Sequence, residues 1–175
     1  MQKQLQHLPI QQKNNLSETI FISENSSKAE KYEQLIPQLH HLLLPSDDLI
    51  ANLANCSAAL KEVFNFWWVG FYLVKNQKLI LGPFQGPIAC TSIHYGKGVC
   101  GTCWQKGESI IVPNVDEFPG HIACSSASKS EIVVPIIKNN EVVAVMDIDS
   151  EHLAHFDNID NVNLTKLSLF LSDLF

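Results

Sequence analysis

The stretch EIVVPIIKNNEVVAVMDIDS, residues 131–150, decides the fold because it holds two runs of β-forming residues around an Asn-Asn dipeptide. Asparagine tolerates the left-handed backbone of a tight turn, so this stretch predicts a hairpin of two antiparallel strands. Pairing centred on the turn places Glu131 opposite Ile148, between Asp147 and Asp149. A slip of one residue would move the side chains of one strand to the other face of the sheet.

A second hairpin is predicted upstream. Residues 66–74, FWWVGFYLV, are apolar on both faces, which is typical of a strand buried on both sides. A turn at 75–77 leads into a second strand at 78–81. The long insertion at 82–130 holds most of the glycines and prolines, and within it we expect a short helix and a strand, at 99–106 and 108–112.

Helical patterns lie at both ends of the chain. Leucines at helical spacing predict a helix that Pro45 ends, and a second helix that begins with Ser46 or Asp47 as its cap. A last helix is expected from about residue 161 to the end of the chain. Helices at both ends of an antiparallel sheet, with a long irregular insertion, predict an α+β domain.

The composition fits one soluble domain. The chain has 175 residues, of which 46% are hydrophobic and 17% charged, so it can bury a substantial core. Residues 1–27 are rich in Gln, Asn and Ser, and we expect them to form a flexible N-terminal extension to a domain over 28–175. No stretch has the roughly 20 apolar residues of a membrane-spanning helix, and no secretory signal is visible, so we expect a cytoplasmic protein.

The charge of the chain argues against nucleic acid as a partner. Its formal net charge is -6, and all 12 basic residues are lysines. Without arginine, the chain has no bidentate guanidinium group for phosphate or guanine. In a reducing compartment, five cysteines indicate metal binding or redox chemistry rather than structural disulfides.

The spacing of the cysteines is compatible with two chemistries. Cys100 and Cys103 form a CxxC pair, and His121 and Cys124 an HxxC pair, which is the general form of a structural zinc site. A thiol-redox site would instead need an attacking thiolate and resolving thiols on mobile loops. Cys90, Cys100, Cys103 and Cys124 all lie in the loop-rich insertion and meet that requirement. Cys56 lies among Ala and Leu and is expected to be a buried structural residue.

Three carboxylates are expected at one edge of the sheet. Asp147 and Asp149 end an apolar strand and point to the same face, with Glu131 on the partner strand. Crowded carboxylates raise one another's pKa, so one could act as a general acid while another stays ionised and binds a cation such as an amino acid's ammonium group. Solvated acids at a sheet edge, or a divalent-metal site, are the alternatives.

The aromatic strand suggests a pocket wall. Trp68, Gly70 and Tyr72 share one face, and Trp67 and Phe71 the other. Trp68 and Tyr72 could line an apolar pocket, with the gap at Gly70 leaving room for a methyl group.

Taken together, several segments resemble the free methionine-(R)-sulfoxide reductases, a family with a GAF-type fold. They are NFWWVGFYL, LGPFQGPIAC, GKGVCGTC, VPNV followed by FPGHIAC, SEIVVPI and MDIDS. The resemblance runs from about Lys28 to the C-terminus. It implies a GAF-like antiparallel sheet flanked by N- and C-terminal helices, an insertion that covers the active site, and an enzyme that reduces free L-methionine (R)-S-oxide to L-methionine.

The resemblance also implies roles for individual residues. Cys124 would be the attacking thiol, Cys90 the main resolving thiol and Cys100 an accessory one. Cys103 departs from the family pattern, in which a small non-thiol residue is common. Substrate and acid functions would fall to the carboxylates Glu131, Asp147 and Asp149, and the wall around the methyl group to Trp68 and Tyr72.

The implied reaction requires no metal and no organic cofactor. Thioredoxin is the expected external dithiol, and it would reduce a disulfide formed after a sulfenic acid on the attacking cysteine. A homodimer is one candidate assembly. Two other functions stay open at this point: a non-catalytic GAF-type small-molecule sensor, and an interaction domain stabilised by zinc.

Overall fold

The computed structural model describes residues 19–120 and 127–175 and confirms the α+β architecture. All strand pairs of its six-stranded sheet are antiparallel, in the order β3-β2-β1-β6-β5-β4. The elements are α1 Lys28–Leu42, α2 Leu49–Phe64, β1 Trp68–Lys75, β2 Lys78–Gln85, β3 Ser92–His94, α3 Gly98–Lys106, β4 Ile110–Val112, a 3-10 turn at Val115–Glu117, β5 Ser130–Lys138, β6 Glu141–Ser150 and α4 Asn158–Ser172.

The two faces of the sheet carry separate hydrophobic cores. Helices α1, α2 and α4 cover one face, where Val69 and Phe71 of β1 are buried. Trp68 and Tyr72 point to the opposite face and pack with residues of α3. The faces predicted for Phe71, Trp68 and Tyr72 are therefore confirmed. The prediction for Trp67 is wrong: it precedes β1, does not follow the strand alternation, and packs on the α3 side.

The register of the β5–β6 hairpin differs from the predicted one by one residue over most of its length. The turn at 139–140 has φ of 51° and 65°, as a tight Asn-Asn hairpin requires, and the pairs beside it follow the prediction. An irregularity between residues 136 and 137 then shifts the ladder. Glu131 consequently lies opposite Asp149, and its predicted pairing with Ile148 is wrong. A bulge of this kind inserts one extra residue on one strand.

Two helices begin at residues other than those predicted, and in each the N-cap residue sets the start. Asp48, rather than Ser46 or Asp47, caps α2 by accepting hydrogen bonds from the backbone N–H groups of its first turn. Helix α4 begins three residues earlier than expected, because Asp157 and Asp160 form a capping box.

The insertion is more ordered than its composition suggested. Strand β2 continues to Gln85, and a short strand, β3, which was not predicted, pairs with it. The helix and the strand that were predicted within the insertion, at 99–106 and 108–112, are present as α3 and β4. Strand β4 begins at Ile110, two residues later than predicted. These elements hold α3 against the face of the sheet that the other helices leave open.

The described part of the predicted extension contacts helix α1. The backbone N–H of Phe21 donates to Gln38 Oε1 at 2.9 Å, and Gln38 Nε2 donates back to the Phe21 carbonyl at 2.8 Å. Ile20 and Ile22 pack against the helical core. Residues 1–18 lie outside the described residues. Among the described helices, none has both the length and the apolar character needed to cross a membrane.

Candidate active site

A cavity opens on the α3 side of the sheet, where β1, β5, β6, α3 and the loop between β2 and β3 meet. The space inside it is about 560 Å³ when the solvent at its open mouth is included. Its walls combine apolar and acidic side chains: Trp67, Trp68, Tyr72, Ile88, Ala89, Ile93, Gly98, Val99, Cys100, Ser128, Glu131, Asp147 and Asp149. Most of the residues predicted for the site therefore line one cavity.

The three predicted carboxylates lie together on this face. Glu131 pairs with Asp149 across the β5–β6 ladder. Asp147 lies two residues before Asp149 in the chain, and its side chain is therefore on the same side of the strand. In the predicted register, Glu131 would have pointed to the opposite face with Ile148. The one-residue shift in the hairpin is thus what brings the third acid into the cluster.

Burial and mutual repulsion keep protons on this cluster. Glu131 and Asp147 are each only 6% exposed. Burial, and then the charge of the neighbouring aspartates, raises the pKa of both carboxyls well above the ordinary range. Burial also raises the pKa of Asp149, to about 6, although a hydrogen bond donated by the Ser128 hydroxyl favours its ionised form. The cluster therefore offers both protonated and ionised carboxyl groups near neutral pH.

No lysine neutralises these aspartates in the described ranges. The lysine ion pairs found there join Lys28 to Asp157 and Asp160, and Lys129 to Asp116. Among the described residues, the acidic side chains that line the cavity have no lysine paired with them, and such an excess of negative charge favours a positively charged ligand group.

Helix α3 carries the thiol that faces the carboxylates. Cys100 is buried, and its Sγ donates to Glu131 Oε1 at 3.9 Å. Gly101 lets the helix lie close to β3, since a Cβ there would be 2.3 Å from the His94 carbonyl oxygen. Burial, and then the charges of Asp147 and Glu131, raises the pKa of the Cys100 thiol well above its ordinary value. Cys100 is thus a protonated thiol at neutral pH.

The other described cysteines differ in state. Cys90 is disulfide-bonded, whereas Cys56, Cys100 and Cys103 are free. Cys56 is buried within α2, as predicted, and burial raises its pKa to about 12. Cys103 is also buried, and its Sγ contacts the Val133 carbonyl at 3.7 Å.

His121 and Cys124 lie outside the described residues. The attacking role predicted for Cys124, and the zinc site predicted from the CxxC and HxxC pairs, are therefore not tested by the geometry.

Two aromatic side chains fix the loop that carries Cys90. The Tyr72 hydroxyl donates to the Cys90 carbonyl at 3.0 Å, and Trp68 Nε1 donates to the Pro87 carbonyl at 3.0 Å. The Trp68 and Tyr72 rings lie 6.1 Å apart and tilt by only 25°. Besides lining the cavity, both rings therefore hold the disulfide-bonded cysteine beside it.

The predicted gap at Gly70 is filled. Phe84 stacks on Trp68, with ring centroids 5.3 Å apart, and a Cβ on Gly70 would be 2.4 Å from the Phe84 Cβ. The expectation that Gly70 leaves room for a methyl group is wrong. Glycine is present because β2 and the Trp68 ring approach the strand closely.

Sequence reasoning missed Trp67 and Ser128 as cavity residues. Trp67 was placed on the wrong face because the alternation was counted from before the strand begins. Ser128 has no distinguishing pattern within its serine-rich segment, yet its hydroxyl orients Asp149. An aromatic doublet beside a strand start is the only signal that could have indicated Trp67.

The chain is similar to known proteins over most of its length. The GAF domain family matches residues 52–168. The chain is similar to GAF domain-containing protein A of Dictyostelium discoideum, with 55% identity over 90% of this chain and 100% of that protein. It is also similar to the free methionine-R-sulfoxide reductase of Saccharomyces cerevisiae, with 41% identity over 86% of this chain and 88% of that one.

A solved structure is similar over nearly the same span. The X-ray structure of free methionine-R-sulfoxide reductase from Neisseria meningitidis, in complex with its substrate, superimposes with a TM-score of 0.88. The two chains are 48% identical, over 90% of this chain and 95% of that one.

Proposed function

Because the chain belongs to the GAF-domain family of free methionine-R-sulfoxide reductases, we propose that it reduces free L-methionine (R)-S-oxide to L-methionine. The observation that carries this proposal is the cavity itself, in which three crowded carboxyl groups and aromatic walls lie beside a disulfide-bonded cysteine. A sulfoxide needs a proton donor for its oxygen, and an amino acid needs a partner for its ammonium group. The cavity offers groups for both.

In the proposed reaction the Cys124 thiolate attacks the sulfoxide sulfur while a carboxylic acid protonates the oxygen. The sulfoxide S–O bond breaks and the protonated oxygen becomes bonded to the Cys124 sulfur, which leaves methionine and a sulfenic acid on Cys124. The Cys90 thiol then condenses with that sulfenic acid, releasing water and forming a disulfide. The disulfide-bonded state of Cys90, while the other described cysteines are free, supports its resolving role.

The pKa values of the three carboxyl groups indicate which of them donates the proton and which binds the substrate ammonium. Glu131 and Asp147, whose pKa values burial raises furthest, are the candidates for the proton donor. Asp149, with a pKa of about 6, is ionised at neutral pH and is our candidate partner for the substrate ammonium. A peptide-bound methionine sulfoxide has no such ammonium group, which accounts for a preference for the free amino acid.

The apolar walls would bind the rest of the substrate. Trp68 and Tyr72 are nearly fully buried and rigidly held, and Trp67 adds a third ring. A thioether and its methyl group gain free energy from burial against such surfaces. We assign Cys100 as an accessory thiol, since its raised pKa makes it a poor nucleophile until a neighbouring charge is removed.

An external dithiol must return Cys90 and Cys124 to thiols after each turnover. We propose thioredoxin as this reductant, with the reaction taking place in the cytoplasm and with neither metal nor organic cofactor. We also propose a homodimer as the assembly to be tested.

The decisive experiment follows methionine formation from each sulfoxide epimer with thioredoxin, thioredoxin reductase and NADPH. We expect turnover of the free R epimer only. Cys124→Ser should abolish product formation, Cys90→Ser should give a single turnover and stop, and Cys56→Ser is the matched control with unchanged turnover. Inactivity on both epimers would refute the proposal, and tight substrate binding without turnover would favour the sensor.

A further inference from the structure

Cys100, Glu131 and Asp147 form a cluster with the donors of a metal site. One sulfur and one oxygen from each carboxylate all lie within 4.8 Å of one another. Among the described residues, no other set of three Cys, His, Asp or Glu side chains brings its donor atoms within this distance of one another. The donors come from three different elements, α3, β5 and β6, which hold them in place.

A second observation points to a missing ligand. Asp147 is 6% exposed, and its Oδ1 is buried with no hydrogen-bond partner in the described part of the chain. Leaving a buried polar atom unpaired costs about 1–3 kcal/mol, so such an atom is rarely without a function. Asp147 lines the cavity together with Cys100 and Glu131, so a cation bound among these three side chains would give its carboxylate a partner.

The spacing and donor types fit zinc better than magnesium or calcium. Zinc accepts thiolate sulfur at about 2.3 Å and carboxylate oxygen at about 2.1 Å, usually in tetrahedral geometry. Those lengths imply sulfur–oxygen separations of about 3.6 Å, and the Cys100 Sγ lies 3.9 Å from Glu131 Oε1. Magnesium and calcium prefer oxygen ligands alone. The Cys100–Glu131 pair therefore has nearly the separation of two ligands on one zinc ion, and the Asp147 donor lies within 4.8 Å of both side chains' donor atoms.

We propose that Cys100, Glu131 and Asp147 bind one Zn²⁺ per chain, and that the bound ion closes the cavity to substrate. Binding releases the protons that the thiol and the carboxyl groups hold at neutral pH. The metal then occupies the groups that the substrate would otherwise meet, with the fourth coordination position open to water in the cavity. Binding of the metal is independent of the proposed function, whereas the inhibitory effect rests on it. The site differs from the zinc site suggested by the CxxC and HxxC pairs, because it uses neither Cys103 nor His121.

Binding is tested with the purified full chain, using Zn²⁺ by calorimetry and Co²⁺ as a spectroscopic probe. We expect one ion per chain and a thiolate-to-cobalt charge-transfer band. Cys100→Ser should remove the band, and Glu131→Gln should weaken binding by at least about tenfold. Cys103→Ala is the matched control, since it removes a buried thiol one helical turn away and should keep both band and affinity. If Cys103→Ala loses zinc binding while Glu131→Gln keeps it, the assignment of the metal ligands is wrong.

Near-ultraviolet circular dichroism of each variant separates loss of a ligand from loss of the fold. A variant with a native spectrum and no metal binding supports the assignment. Should Glu131→Gln fail to fold, Asp147→Asn provides the same test with the other carboxylate. Native Glu131→Gln and Asp147→Asn proteins that both bind zinc as wild type does would refute the proposal.

Inhibition is measured separately on the wild-type reductase. Added Zn²⁺ should raise the apparent KM for free methionine sulfoxide at constant kcat, and EDTA should reverse the effect. Stoichiometric binding with no change in KM would refute the closing of the cavity. Absence of activity in the EDTA-treated protein would count against the proposed function while leaving the metal measurement intact.

Discussion

Replacing Asp149 with asparagine should stabilise the protein at neutral and alkaline pH. The pKa of Asp149 is raised by burial from 3.8 to about 6, so ionisation of this carboxyl disfavours the folded state. One pKa unit corresponds to about 1.4 kcal/mol, and the difference of about two units gives roughly 3 kcal/mol once the pH exceeds 6. Asparagine has nearly the same shape, carries no charge, and keeps an oxygen that can accept the hydrogen bond from Ser128.

The sign of the effect follows from proton linkage. Between pH 4 and 6 the folded protein holds a proton on Asp149 that the unfolded chain has lost, so wild-type stability falls as the pH rises through this range. Below pH 4 both states are protonated and the carboxyl behaves much as the amide does. The advantage of Asp149→Asn should therefore be small at pH 4 and reach about 2–3 kcal/mol at pH 8.

Urea denaturation at pH 4, 6 and 8, followed by tryptophan fluorescence and circular dichroism, measures this difference with both proteins in the same redox state. Asp173→Asn, at the C-cap of α4 and with no described contact to the cluster, is the matched control for loss of one negative charge. A stability difference that does not change with pH, or that grows as the pH falls, would refute the reasoning. The same variant should bind the substrate more weakly, because the proposed partner of its ammonium is gone.

Three further predictions concern single side chains. Gly70→Ala should lower the free energy of unfolding by about 1–3 kcal/mol in urea denaturation, because its Cβ would be 2.4 Å from the Phe84 Cβ. Unchanged stability would show that β2 can move away from the added methyl group at little cost. Cys56 should resist alkylation at pH 8 until the protein unfolds, since burial raises its pKa to about 12, and mass spectrometry of peptides would reveal early labelling. Asp160→Ala should destabilise the fold by about 3 kcal/mol, because it removes a fully buried carboxylate that pairs with Lys28 and accepts a hydrogen bond from the Tyr32 hydroxyl; a melting temperature equal to that of wild type would contradict this.

Local patterns in the sequence predicted the parts of the fold that depend on neighbouring residues. Alternation along β1 placed Trp68 and Tyr72 on one face and Phe71 on the other, and the Asn-Asn pair predicted the hairpin turn. The spacing of Asp147 and Asp149 put both carboxylates on one side of β6. These features follow from the two-residue repeat of a strand and from the conformations that asparagine tolerates.

The tertiary structure decided which residues meet in the cavity. A bulge between residues 136 and 137 moved Glu131 to the face of the aspartates, and Phe84 filled the space beside Gly70. Helix α3 brought Cys100 to the acids from a distant part of the chain. Register and packing of this kind depend on the free energy of the whole sheet and its covering helix, in which a shift of one residue changes every contact on a face, and no short stretch of sequence contains that information.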